Sequence, residues 1–176
     1  MNSEERIEFI LNMSQESAAL RRTVVESLAA QLVELADVIS GVIGSGGKLL
    51  ICGNGGSAAD SSQMASEMIV RLTSQRNRQS LPAMALTTDT SILTAAANDF
   101  GFEKVFARQI EGLGRKGDML LVISTSGNSS NLLYAVEAAR EKGLLTAALL
   151  GGDGGKLAPM VDKKLIVPHT SVQRIQ

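Results

Sequence analysis

Residues 48–57, Lys-Leu-Leu-Ile-Cys-Gly-Asn-Gly-Gly-Ser, and residues 118–129, Asp-Met-Leu-Leu-Val-Ile-Ser-Thr-Ser-Gly-Asn-Ser, share one pattern. In each, a short apolar run leads into a loop of glycine and small polar residues, and a helical stretch follows. Such a unit binds anions, because backbone N–H groups can approach a ligand and the helix N-terminus carries partial positive charge. Two of these units in one domain predict a phosphorylated small molecule bound between strand ends.

The two loops differ from the common nucleotide-binding motifs. The first, with Asn54, Gly55, Gly56 and Ser57, lacks both the Gly-x-Gly-x-x-Gly spacing and the Gly-Lys-Ser/Thr ending of a P-loop. The second loop offers hydroxyl groups and no lysine. A helix N-cap needs only one such side chain, so the excess favours a ligand over capping alone. The hydroxyl groups belong to Ser124, Thr125, Ser126 and Ser129.

The rest of the chain from residue 48 onward alternates between apolar runs and helical stretches. Continuous apolar strands are typical of a parallel sheet that is covered by helices on both faces. The sequence therefore predicts an α/β fold, a three-layer α/β/α sandwich with a five-stranded parallel sheet, as a single domain over residues 1–176. Strands are predicted near 48–52, 82–87, 118–123, 145–150 and 163–167, and helices near 57–71, 90–98, 103–113 and 129–142.

An N-terminal helical segment, residues 1–45, precedes this unit. Two helices are predicted in it, over 4–20 and 24–43, and the second has a clear apolar stripe. Helices outside a complete sandwich often serve in oligomerisation, but they can also cap one face of the sheet. The sequence leaves these two alternatives open.

Composition excludes several classes of protein. The chain has 17 basic and 18 acidic residues, so it lacks the positive charge expected of a protein that binds nucleic acid. Its single cysteine, Cys52, excludes an intrachain disulfide and suits a reducing cytosol. No apolar run is expected to reach transmembrane length. The sequence thus predicts a soluble, cytoplasmic protein without membrane contact.

The helix after the first loop carries candidate catalytic side chains. Gln63, Glu67 and Arg71 are spaced four residues apart and would share one helix face. They could act as polar anchor, base and charge partner in a cleft, or they could form a solvated face with a Glu–Arg ion pair. His169 is the only histidine, and one histidine cannot supply both metal ligation and acid–base chemistry.

Several motifs in order resemble the sugar isomerase (SIS) superfamily, and specifically the phosphoheptose isomerases. The resemblance covers nearly the whole chain. A close relative with the same fold, the DnaA initiator-associating protein, binds a replication initiator. The motifs are Cys52-Gly-Asn-Gly-Gly-Ser-Ala-Ala-Asp60, Thr87-Thr-Asp-Thr90, Ala97-Asn-Asp-Phe-Gly101, Ser124-Thr-Ser-Gly-Asn-Ser129 and Arg174-Ile-Gln176.

The resemblance implies an aldose–ketose isomerase that converts sedoheptulose 7-phosphate into D-glycero-D-manno-heptose 7-phosphate through an enediol. It also implies a role in ADP-heptose and lipopolysaccharide core synthesis, and a homotetramer with active sites at subunit interfaces. Glu67 would be the general base and a zinc ligand. The phosphate would be held by Ser57, Ser124, Ser126 and Ser129, with Thr125 in the same loop. The sugar would be lined by Asn54, Gly55, Gly56, Asn98 and Asp99. A further ligand of substrate and zinc would be Gln176.

The chain departs from the family pattern at two places. Gln63 stands where the family has a zinc-binding histidine and would be a third zinc ligand by this resemblance, and a further helix with a second histidine is expected beyond Gln176. A neutral amide is a poorer zinc ligand than imidazole. Two alternative functions stay open: a non-catalytic DnaA-binding regulator and a sugar-phosphate-sensing module. Glu67 favours the enzyme, because the DnaA-binding relative is expected to lack this carboxylate.

Overall fold

Five apolar runs form one parallel sheet in the computed structural model, which describes residues 1–175. Every residue of the first strand is buried, and so are five of the six residues of the third. Burial on both faces explains why these strands are continuously apolar in sequence. The strands are β1 (Leu49–Gly53), β2 (Ala83–Ala85), β3 (Met119–Ser124), β4 (Leu145–Gly151) and β5 (Lys163–Val167), in the spatial order β2-β1-β3-β4-β5.

Helices cover both faces of the sheet. Helices α1 and α2 pack over Ile51 and Leu121, whereas α3, α4 and α5 pack over Leu50 and Leu120. The predicted three-layer α/β/α sandwich is therefore confirmed. The helices are α1 (Ser3–Gly44), α2 (Gly56–Ile69), α3 (Thr90–Phe100), α4 (Val105–Leu113), α5 (Ser130–Glu141) and α6 (Val172–Ile175), with short 3-10 turns at Phe102–Lys104 and Gly155–Leu157.

The N-terminal segment is one helix of 42 residues and not the predicted pair. Residues 20–24, between the two predicted helices, contain neither glycine nor proline, so nothing in the chain interrupts the helix. Asn2 and Glu5 form a capping box at its start, in which each side chain accepts a hydrogen bond from the other residue's backbone N–H.

Only the second half of α1 packs on the sheet. Leu35 and Val42 are buried against β1 and β5, whereas Ile7, Phe9 and Ile10 in the first half are more than half exposed. By length and composition alone α1 could cross a membrane, which corrects the expectation that no segment approaches that length. The evidence for a membrane helix is weak, because core helices and signal sequences meet the same criterion.

The chain path creates a crevice at the carboxyl ends of β1 and β3. From β1 the chain moves outward to β2, and it then returns past β1 to β3 on the other side. Helix α2 leaves β1 toward one face of the sheet and α5 leaves β3 toward the opposite face. Ligands of open α/β sheets bind where neighbouring connections diverge in this way. Gly53 and Ile123 are partners in the β1–β3 register, so both Gly/Ser loops begin side by side.

A partly buried ion pair fixes the opposite end of the same two strands. The Asp118 carboxylate accepts hydrogen bonds from the Lys48 ammonium at 2.5 Å, from the Lys48 backbone N–H at 3.0 Å and from the Arg115 backbone N–H at 2.9 Å. Burial alone would raise the pKa of Asp118, but these hydrogen bonds and the Lys48 charge outweigh burial and lower it. The contact ties the start of β3 to the start of β1, upstream of both loops.

Candidate functional site

A polar cavity of about 210 Å³ lies where the two Gly/Ser loops meet. Seven residues predicted from sequence to bind substrate come together in its lining: Asn54, Gly56, Ser57, Ser124, Thr125, Ser126 and Ser129. Ile123, Leu132 and Val172 complete the lining and were not predicted. The lining residues lie far apart in the sequence, from Asn54 to Val172. The two loops meet because β1 and β3 are neighbours in the sheet.

The first loop depends on glycine. Gly55 is the N-cap of α2 and has φ of 57°, in the left-handed region that glycine adopts without steric cost. Having no side chain, it makes no side-chain capping hydrogen bond, and the backbone N–H groups of Ser57 and Ala58 donate instead to the Asn54 and Gly55 carbonyls at 3.0 Å. Ser57, in this first turn, is buried and lines the cavity.

The conformation of the second loop depends on Gly127. Its φ is 63°, and a Cβ at this position would overlap the backbone carbonyl of Gly154. The Gly127 N–H donates to Ser124 Oγ at 3.1 Å, and its carbonyl accepts from the Leu157 N–H at 2.9 Å. Ser129 is the N-cap of α5, yet its side chain makes no capping hydrogen bond within residues 1–175. Its hydroxyl is thus not used to cap the helix that it begins.

Neutral groups dominate the electrostatics of the cavity. Within the described residues, no lysine or arginine lines it. Two helices of 14 and 12 residues, α2 and α5, begin at its edge and contribute the partial positive charge of their N-termini. Hydroxyl groups and backbone amides at such a position suit a phosphate group.

An asparagine pair joins the first loop to the start of α5. Asn54 of the first loop and Asn131 of α5 form two reciprocal hydrogen bonds of 2.9 and 2.8 Å. Sequence analysis missed Asn131. The contact spans 77 positions, and no local pattern in the sequence reveals it.

Glu67 and Gln63 interact on α2 outside the lining of the polar cavity. The Gln63 amide donates to Glu67 Oε1 at 2.7 Å, which orients the carboxylate. Arg71 lies beyond the end of α2 at Ile69, so the predicted row of three side chains on one helix face is wrong at its third member. Arg78 instead caps this end of α2, because its guanidinium donates to the Glu67 and Met68 carbonyls at 2.6 and 2.8 Å.

Other predicted residues also lie apart from the cavity. Asn98 and Asp99 are exposed near the end of α3, where the Asn98 amide donates to Asp99 Oδ1 at 2.8 Å. Gly55 shapes the first loop without lining the cavity. Gln176 lies outside the described residues. The roles of these residues in substrate binding stay predictions.

The predicted zinc ligands do not form a metal site by themselves. Among residues 1–175, no group of three His, Cys, Asp or Glu side chains is arranged to hold a metal ion. Glu67 has the amide of Gln63 beside it, and an amide is not among the usual zinc ligands. His169 Nδ1 accepts a hydrogen bond from the Ser171 N–H at 3.0 Å, in keeping with a structural role at the end of β5.

A second, larger cavity of about 310 Å³ adjoins the polar one. The two share Ser57, Ile123, Ser124 and Thr125, but the larger cavity is otherwise lined mostly by apolar side chains of α1, the sheet and Ile175. Such a lining offers few donors to a phosphate, so the smaller polar cavity is the better candidate for the anion.

The chain is similar to a known family of proteins over most of its length. Residues 13–151 match the SIS domain family. The phosphoheptose isomerase of Chlorobium phaeobacteroides is 51% identical over 170 residues, which cover 96% of this chain and 75% of that protein.

Solved structures of phosphoheptose isomerases are also similar. The one from Neisseria gonorrhoeae has a TM-score of 0.88 at 44% identity and covers 96% of this chain and 89% of its own. The one from Francisella tularensis has a TM-score of 0.91 at 35% identity, with 99% and 91% covered. With a match over most of its length and relatives at about half identity, the chain belongs to the SIS domain family and, within it, to the phosphoheptose isomerases.

Proposed function

We propose that the protein is an isomerase that converts sedoheptulose 7-phosphate into D-glycero-D-manno-heptose 7-phosphate. The observation that carries this proposal is the polar cavity at the carboxyl ends of β1 and β3, in a chain half identical to phosphoheptose isomerases. Its donors are neutral hydroxyl and amide groups at two helix N-termini, which suit a phosphate ester. Binding the phosphate there would orient the rest of the sugar for reaction.

The reaction needs a base that moves a proton between adjacent carbons through an enediol. We assign this role to Glu67. It lies ten residues after Ser57 on α2, about 15 Å along the helix axis at about 1.5 Å per residue. Glu67 therefore lies toward the opposite end of α2 from the proposed phosphate site. Gln63, by donating to one carboxylate oxygen, would hold Glu67 in one orientation.

Zinc remains a proposal without a structural basis in the described residues. Of the predicted ligands, Glu67 supplies the only carboxylate, Gln63 a neutral amide, and Gln176 lies outside the described residues. We therefore assign no step of the reaction to a metal. Turnover measured with and without added zinc, after chelation, tests whether the protein depends on it.

The decisive experiment is turnover of sedoheptulose 7-phosphate by the protein in D₂O. An enediol pathway allows solvent deuterium to appear on carbon in the aldose product. Glu67→Gln should abolish turnover and deuterium uptake, while binding of the phosphate ester is retained, because this substitution removes the base and leaves the polar cavity intact.

Glu137→Gln, which changes an exposed glutamate on α5, is the matched control and should leave turnover unchanged. Absence of turnover in the unmodified protein, with or without zinc, would refute the isomerase proposal. Equal loss of binding and turnover in Glu67→Gln would instead assign Glu67 a structural role.

The two non-catalytic alternatives are less well supported. A DnaA-binding regulator or a sugar-phosphate sensor would share the polar cavity, so the loops do not separate these functions. The curated relatives at about half identity are all called phosphoheptose isomerases, and Glu67 is present. Both observations favour the enzyme.

We further propose that the protein acts as a cytoplasmic homotetramer in ADP-heptose and lipopolysaccharide core synthesis. The exposed apolar side chains in the first half of α1, Ile7, Phe9, Ile10 and Leu11, support self-association. Similarity to enzymes of sugar metabolism supports a soluble protein. Sedimentation analysis tests this proposal, and a monomer at micromolar concentration would refute the assembly.

A further inference from the structure

We propose that Asn131 is a positioning residue for the phosphate site and that it acts through Asn54. The inference rests on the proposed function in one respect, namely that the polar cavity holds a phosphate ester. Asn131 is the second residue of α5 and is 2% exposed. It does not line the cavity, whereas Asn54 does. Any influence of Asn131 on the ligand therefore passes through a neighbour.

The neighbour is identified by two reciprocal hydrogen bonds. Asn54 Nδ2 donates to Asn131 Oδ1 at 2.9 Å, and Asn131 Nδ2 donates to Asn54 Oδ1 at 2.8 Å. Two amides paired in this cyclic way hold each other in one plane. Each amide has two N–H groups and a carbonyl oxygen with two lone pairs. Asn54 thus keeps one N–H and one lone pair that the pair does not use, and a ligand can take them.

The pair also connects the two loops beyond the last residues of the β1–β3 register. That register ends at Gly53 and Ile123, and both chains then diverge into their loops. Asn54 follows Gly53 directly, and Asn131 lies two residues after the N-cap Ser129. The pair therefore holds the first loop against the start of α5, and it sets the distance between the donors that the two loops present.

The chemistry of Asn131 argues against a purely structural role. Its neighbours along α5, Leu132, Ala135 and Val136, are buried and apolar. A buried amide is costly unless it is hydrogen-bonded, and an apolar residue would pack at such a position without that risk. The amide pair is neutral and does not repel a phosphate bound beside it. A carboxylate at the same position would repel the phosphate.

The test measures phosphate binding and turnover in Asn131→Ala, in Asn54→Ala and in the double variant. Removal of one asparagine breaks both hydrogen bonds and should weaken binding of inorganic phosphate, measured by calorimetry, about tenfold. The KM for sedoheptulose 7-phosphate should rise by about the same factor, with little change in kcat. Because Asn131 acts through Asn54, the double variant should be no worse than Asn54→Ala alone.

Gln109→Ala is the matched control. Gln109 is also a buried amide with two hydrogen bonds, to the Leu86 and Val105 carbonyls at 2.9 and 3.0 Å, but it lies away from the cavity. Its loss should lower the melting temperature without changing phosphate affinity. If Asn131→Ala fails to fold, Asn131→Leu keeps the branched shape of the side chain and removes the same hydrogen bonds.

The outcomes separate this inference from the proposed function. An Asn131 variant that melts earlier but binds phosphate like the unmodified protein would overturn the positioning role, and so would additive losses in the double variant. If the unmodified protein binds phosphate but does not turn over the sugar, the isomerase proposal fails and calorimetry still decides the role of Asn131. No phosphate binding by the unmodified protein overturns both.

Discussion

Replacement of Gly127 by alanine should damage the phosphate site and the fold together. Gly127 has φ of 63°, and the left-handed region costs a residue with a side chain about 1–2 kcal/mol. The added Cβ would also overlap the Gly154 carbonyl, so one of the two backbone segments must move. In a chain of this length each kcal/mol corresponds to about 2–4 °C. The left-handed conformation alone should therefore lower the melting temperature by about 2–8 °C, and the overlap with Gly154 should lower it further.

The functional effect of Gly127→Ala should be larger than its effect on stability. The overlap is with backbone and not with a flexible side chain, so the added methyl group pushes the second loop and the Gly154 segment apart and displaces the hydroxyl groups of Ser124 and Ser126. A displacement of about 1 Å at a binding group can cost about 10²-fold in activity. Calorimetry with inorganic phosphate and steady-state kinetics with the sugar phosphate both measure this loss.

Gly112→Ala is the matched substitution. Gly112 lies within α4, has no positive φ, and a Cβ there would meet no atom within 4 Å. Alanine is preferred over glycine in a helix by about 0.5–1 kcal/mol, so this variant should melt about 1–4 °C higher and bind phosphate normally. If Gly127→Ala binds phosphate as tightly as Gly112→Ala, the second loop is not the anion site and the reasoning fails.

Two further substitutions test the scaffold. Asp118→Ala removes the acceptor of two backbone N–H groups and of the partly exposed Lys48 ammonium, and it should lower the free energy of unfolding in urea by about 2–4 kcal/mol. Folding lowers the pKa of Asp118, so this carboxylate stabilises the protein fully above its unfolded pKa of about 4. The stabilisation is lost as the pH falls through the folded pKa. The difference in unfolding free energy between Asp118→Ala and the unmodified protein should therefore shrink below about pH 4. Asp89→Ala removes the N-cap of α3, whose carboxylate accepts from the Ile92 N–H at 2.9 Å, and should cost about 1 kcal/mol by thermal melting; no change would mean that α3 is held by packing alone.

Local patterns in the sequence were sufficient to predict the sheet and the two loops. An apolar run such as Leu49–Gly53 can be buried on both faces only in a covered parallel sheet, and glycine is required wherever the chain takes positive φ, as at Gly55. These are properties of a few consecutive residues. The strand ends and the loop residues could therefore be assigned before any tertiary contact was known.

Features that depend on distant contacts were not predictable in this way. The Asn54–Asn131 pair and the Lys48–Asp118 pair join residues 77 and 70 positions apart. The continuity of α1 was missed for a different reason. Its large apolar side chains in the first half are mostly exposed, whereas Leu35 and Val42 in the second half are buried, so the two halves meet different surroundings along a helix that the backbone does not interrupt.

The polar cavity and Glu67 lie apart, so phosphate binding and proton transfer can be tested with different substitutions. The proposed donors for the phosphate lie just after β1, at the end of β3 and beyond it, and in the first turn of α2, whereas Glu67 lies near the far end of α2. Binding and proton transfer should then respond to different substitutions. Gly127→Ala is expected to reduce both, since a displaced phosphate misaligns the sugar, and Glu67→Gln is expected to reduce only turnover. If Glu67→Gln weakens phosphate binding as much as Gly127→Ala does, the two ends of α2 are not independent, and Glu67 must then help to hold the first loop in place.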